Sequence, residues 1–127
     1  MRALTLEWVE KAEGDYNTAT REYRARKSPN YDAVCFHCQQ CAEKYLKALL
    51  QEREKYFPLT HKLITLLELC LEDLPDIELH RETLKTLDRY AVIFRYPGEN
   101  AIKSDARSAI KSLRDFRLFA RTQLELD

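Results

Sequence analysis

The chain has 127 residues, 45% hydrophobic and 33% charged, and its 21 basic and 21 acidic side chains cancel. That length suits one domain with a sizeable core, and zero net charge gives no global argument for DNA or membrane binding. Only two glycines and four prolines punctuate it, which favours long helices over many short strands. No run approaches the ~18 consecutive apolar residues of a membrane span. The opening MRALTLEWVEKAEGDY lacks the long apolar stretch and small-residue cleavage site of a signal peptide. Three of the four cysteines are clustered, unlike a secreted disulfide framework, so the expected compartment is a reducing cytoplasm.

The first predicted helix runs from about Leu4 to Arg26, with Val9, Ala12, Tyr16, Ala19 and Tyr23 at helical spacing, Trp8 widening the stripe and Asp15 beside it. Ser28-Pro29-Asn30 breaks it, because proline cannot continue the hydrogen-bond ladder. The second spans Tyr31 to Arg53, and its stripe from Tyr31 through Val34, Cys38, Cys41, Tyr45 and Leu49 is the strongest periodic signal in the chain. The third opens at Pro58-Leu59-Thr60, with Thr60 as the expected N-cap, and ends near Leu74-Pro75. The fourth covers Glu78 to Phe94 and stops at Pro97-Gly98. The fifth covers Ala106 to Leu124, capped by Ser104-Asp105. The expected fold is all-α: residues 1–127 as a single, mostly antiparallel bundle of four long helices plus a shorter one, with helices one, two and five at its centre.

The stretch CFHCQQC, from Cys35 to Cys41, invites a metal or redox reading. Cys35, Cys38 and Cys41 continue one stripe, whereas His37 projects about 200° away from Cys35. They do not converge on one ion, which normally takes four ligands. A redox CxxC needs an exposed helix N-terminus in a βαβ setting. Core packing is the reading that remains, since free cysteine behaves as a small apolar residue. No metal and no cofactor is expected. On the polar side, Gln40, Glu43, Lys44 and Lys47 recur at spacings of three and four and form a ridge. It is either a solvated face with a local Glu43–Lys47 pair or a partly buried polar network.

Several segments together resemble the HEPN family (higher eukaryotes and prokaryotes nucleotide-binding domain) in its small prokaryotic stand-alone form. They are WVEKAEGDYNTA from Trp8, FHCQQCAEKYLKAL from Phe36, THKL from Thr60 and RYPG from Arg95. The resemblance implies a helical bundle that forms a homodimer. It also implies pairing with a minimal nucleotidyltransferase in toxin–antitoxin modules, and in many members metal-independent endoribonuclease activity. That activity uses an Arg followed within a few residues by a His, two such motifs meeting across the dimer. Here Arg95 is followed by Tyr96-Pro97-Gly98-Glu99-Asn100-Ala101-Ile102, and no histidine occurs after His80. Histidine suits the acid and base roles, whereas arginine stays protonated.

Arg95-Tyr96-Pro97-Gly98 reads in two ways: as a helix terminator, or as a phosphate contact by Arg95 assisted by stacking on Tyr96. Lys44 and Lys47 join Arg95 and Tyr96 as candidates for nucleotide or RNA binding. Asp15, Gln40 and Glu43 are the candidate polar network. Arg95, Tyr96 and His37 are the candidates for catalysis, while His61 reads as a helix-start residue. Basic residues at 103, 107, 111, 114, 117 and 121 flank the stripe of the fifth helix, as a solvated flank or a contact for RNA or an acidic partner. The expected function is a nucleotide- or RNA-associated interaction module. A divergent ribonuclease toxin and a purely structural helical adaptor are the alternatives.

Overall fold

The strongest apolar stripe in the sequence becomes the centre of the structure. The computed structural model describes residues 1–127. It is all-α, with α1 (Ala3–Tyr23), α2 (Tyr31–Glu52), α3 (Leu63–Cys70), α4 (Arg81–Ile93) and α5 (Lys103–Gln123). A 3-10 segment, Pro75–His80, leads into α4. The core side of α2 is fully buried from Val34 to Leu50, and 28 buried apolar residues form one cluster around it. α1, α3, α4 and α5 all pack on α2. The four cysteines are free and buried. Burial pushes the Cys35 and Cys70 thiols up to about 12 and raises Cys38 and Cys41 as well. They are core residues, since a thiol held protonated is neither nucleophile nor metal ligand.

Several boundaries differ from the sequence expectation. α3 ends at Cys70 rather than near Leu74, and α4 begins at Arg81 rather than Glu78. α1 stops at Tyr23, short of Arg26, and the backbone turns through Ser28 at φ 45°. α3 begins at Leu63 rather than at the expected Thr60 cap. The Thr60 hydroxyl accepts from Lys62 N in a local turn, while the Asp88 carboxylate of α4 accepts from Leu63 N at 3.0 Å. The cap of α3 therefore comes from another helix. At α5 the helix starts at Lys103, and Asp105 accepts from Ile102 N at 2.9 Å from inside the first turn.

α1, α2, α4 and α5 alternate in direction, so the α1–α2 and α4–α5 connectors meet at one end of the bundle. Asp32 joins them by accepting from Ala101 N at 2.7 Å. Glu22 accepts from Asn30 N at 2.9 Å and holds the α1–α2 turn. The α2–α3 loop climbs back along α2, so the short α3 runs in the same direction as α2. Its start lies beside Gln39, which donates to the His61 carbonyl at 2.7 Å. The turn after its end lies by Lys55, which reaches Glu72 and Asp73.

Candidate functional site

The polar ridge of α2 is not one surface. Its two edges face different helices. On the α1 side, Asp15 is buried and takes hydrogen bonds from two α2 side chains: His37 through Nδ1 at 2.7 Å and Lys44 through Nζ. On the α3–α4 side, Glu43 is buried and pairs with buried Lys47 at 2.9 Å. The Lys47 ammonium also lies over the Trp8 ring of α1, 5.4 Å from its centroid, so Lys47 touches both edges. Gln40 donates to the side-chain oxygens of Gln39 and Glu43 at 2.9 and 3.3 Å. Gln39 in turn donates to Asp88 at 3.0 Å. Burial raises the Asp88 carboxyl above its ordinary value, partly offset by the donors from Gln39 and the start of α3.

The same network reaches His61. Its Nδ1 lies 3.2 Å from both Glu43 oxygens, although the imidazole itself is exposed. In the neutral tautomer that donates from Nδ1 to Glu43, Nε2 keeps its lone pair. His61 lines a cleft of about 490 Å³ with Gln39, Gln40, Asp88, Phe36 and Arg95. Arg95 stands on the turn just past α4, at the rim this cleft shares with a second hollow of about 280 Å³ along Asn30, Asp32 and Phe94. Arg95 is exposed and belongs to none of the molecule's ion pairs. Arg95 and His61 thus line one cleft, a guanidinium and an imidazole of the kinds that can hold a phosphate and move a proton.

The predicted site residues thus separate. Asp15 makes hydrogen bonds on the α1 side, and Gln40 and Glu43 make theirs in a separate network. Lys44 and Lys47 are engaged by carboxylates of the bundle, so their charges are compensated and turned inward, away from the Arg95 cleft. His37 is tied to Asp15 and lines neither cleft beside Arg95. Tyr96 is 61% exposed and lines neither as well. The histidine that does share the cleft is His61, read from the sequence as a helix-start residue. The available signal was the position of Asp88 on α4, about two turns before Arg95, which follows the helix end. Nothing local pointed to the pairing of Glu43 with His61.

A third network ties α1 to α5. Arg117 grips Glu13 through Nε and Nη2 at 2.7 and 2.6 Å. Tyr45 also donates to Glu13, and Arg121 donates to the Tyr45 hydroxyl at 3.0 Å. Burial opposes the Glu13 charge, but the bonds from Arg117 and Tyr45 and the nearby guanidinium charges outweigh it. They hold the carboxyl below the ordinary range.

Fold and site together define a helical bundle with an arginine-lipped polar cleft where α4 gives way to the α4–α5 connector. The HEPN domain model matches residues 5–123, and the chain belongs to the HEPN domain family. Its fold is similar to the crystal structure of TT1696 from Thermus thermophilus. The TM-score is 0.73 at 24% identity, over 94% of this chain and 97% of that one. Among curated proteins nothing matches the chain. No helix is long and apolar enough to cross a membrane.

Proposed function

We propose that the protein is a nucleotide- or RNA-associated module that engages a phosphate group at Arg95. The observation that carries the reading is the unpaired Arg95 at the rim of the cleft that also holds His61 and Lys62. Guanidinium binds phosphate through two parallel N–H donors; no carboxylate is ion-paired with Arg95, and Asp88 of the same cleft is engaged by Gln39 and Leu63 N. In this reading the protein works as a homodimer, beside a separately encoded minimal nucleotidyltransferase in a toxin–antitoxin-type system. An apolar rim supports pairing with a second copy: Phe36, Val92 and Tyr96 are 39%, 59% and 61% exposed around Arg95, and apolar patches of this kind mark contact surfaces. The test is a titration of nucleotides and short RNA against the wild type and Arg95→Ala. The expected loss of affinity in the variant is about tenfold, the effect of one charge-assisted phosphate contact. Equal affinities would remove Arg95 from the site.

A second reading, a divergent metal-independent ribonuclease, is favoured by His61. Held by Glu43 through Nδ1, it offers Nε2 as the base for a 2′-hydroxyl while Arg95 steadies the phosphate. RNA cleavage in the presence of a chelator, abolished separately by His61→Ala and Arg95→Ala, is the expected result of that reading. Intact RNA at high enzyme concentration leaves binding as the function. A protein partner with no nucleotide or RNA affinity even at low salt would instead favour the structural adaptor.

A further inference from the structure

A second cleft lies at the connector end of the bundle, between the α1–α2 turn and the first turns of α5. It measures about 650 Å³ and is lined by Arg24, Arg26, Lys103 and Arg107 together with Tyr23 and Tyr31. No acid is among its lining residues, and none of its four cations takes part in an ion pair of the molecule. Lys103 is the first residue of α5, whose amino end is capped by Asp105.

We propose that this cleft binds the phosphate backbone of a single-stranded nucleic acid. Concentrated positive charge inside a neutral protein has no global explanation, since the net charge is zero. Uncompensated like charges in one cleft repel one another, and an anion removes that cost. The arginines are also oriented. Arg107 Nε donates to the Tyr23 hydroxyl at 3.2 Å and, two turns along α5, Arg114 Nε donates to the Tyr16 hydroxyl at 3.3 Å. A phenol fixes the guanidinium without neutralising it, and the terminal nitrogens remain available to phosphate oxygens.

The extent of the surface selects a strand over a single phosphate. From the basic cleft a hollow along Ser28, Pro29, Asn30 and Asn100 shares Pro29 and Tyr31 with it. That hollow shares Asn30 and Asp32 with the one rimmed by Arg95. The Asp32 carboxylate along this path already accepts from Ala101 N. A basic groove with aromatic side chains beside it is how single strands are held without a duplex groove to enter. The proposal rests on the RNA-associated reading and deepens it by giving the strand a course, from Arg107 around the connector end to Arg95.

The test is fluorescence anisotropy with a labelled oligouridylate over a salt series, on wild type, Arg24→Gln/Arg107→Gln, Arg95→Ala and the control Lys85→Gln/Arg89→Gln on α4. Phosphate contacts by the four cleft cations and Arg95 on a single strand give a log–log salt slope of about −3.5. The double cleft variant is expected to bind at least about tenfold more weakly and to reduce the slope to about −2, with the control unchanged. A thermal melt of each variant confirms folding, and the more conservative Arg24→Lys/Arg107→Lys is expected to retain most of the affinity. Strong RNA binding that the cleft variant leaves intact overturns this site while the Arg95 reading stands. A nucleoside triphosphate that binds where the oligouridylate does not overturns the strand. Loss in the control equal to that in the cleft variant reduces the effect to general charge and overturns the proposal too.

Discussion

The two halves of α5 carry the same kind of residue at the same spacing and do different work. Near its C-terminal end, Arg117 and Arg121 meet Glu13 and Tyr45, and their charge is absorbed into the α1–α2–α5 contact. In its second turn and at its middle, Arg107 and Arg114 meet only the hydroxyls of Tyr23 and Tyr16. The difference is made by α1, which presents the Glu13 carboxylate to Arg117 and Arg121, with the Tyr16 ring also against Arg117, and only phenol hydroxyls to Arg107 and Arg114. A basic stripe is therefore neither structural nor functional by itself. The group opposite it decides, because a carboxylate compensates the charge and a phenol merely aims it.

The largest effect is expected from removing the carboxylate. Glu13→Ala leaves Arg117, Arg121 and Tyr45 without their acceptor and is expected to cost about 2–3 kcal/mol. This registers as a fall of about 10 °C in a circular-dichroism melt, and an unchanged melt would erase the distinction between the halves. Tyr23→Glu tests it from the other side by giving Arg107 a carboxylate. RNA affinity is expected to drop about tenfold, from a lost phosphate contact and added repulsion, while anisotropy equal to wild type would mean Arg107 charge is not used. Arg107→Gln alone is expected to change stability by less than about 0.5 kcal/mol, as read by urea unfolding.

The smallest effect is on pH. The folded Glu13 carboxyl is lowered from 4.5, so the unfolded chain takes up its proton first as pH falls. The stability it contributes is present above about pH 4.5 and is lost as pH falls through the depressed folded value. Melting temperatures of wild type and Glu13→Gln are expected to differ at pH 7 and to converge in acid. A constant gap across that range would show that the Glu13 contribution is not ionic.

The fold was legible because the α2 stripe is long and its residues pack where a helix of period 3.6 puts them. The cysteines were legible for the same reason, as members of that stripe. The α3 boundary was not, since Thr60 looks like a cap and the real acceptor, Asp88, lies 25 residues away from Leu63. The ridge of Gln40, Glu43, Lys44 and Lys47 was recognisable as polar. Its division between Asp15 and His61 depends on which helices flank α2, and spacing along one helix does not contain that information. Arg95 was found by family likeness, and His61 stayed hidden because a ten-residue loop, 53–62, folds it back onto α2. Glu13 was quoted within a motif without a role, as its partner Arg117 lies 104 residues on.

The central claim is that nucleic acid is met at the connector end, by the cations that the bundle leaves unpaired. Amide chemical-shift mapping during titration with a single-stranded oligouridylate tests it most directly. The account predicts shifts concentrated in residues 24–31, around Arg95 and along 103–114, with the region of Glu13, Arg117 and Arg121 silent. Shifts centred on that paired half of α5, or none at all at low salt, would contradict it.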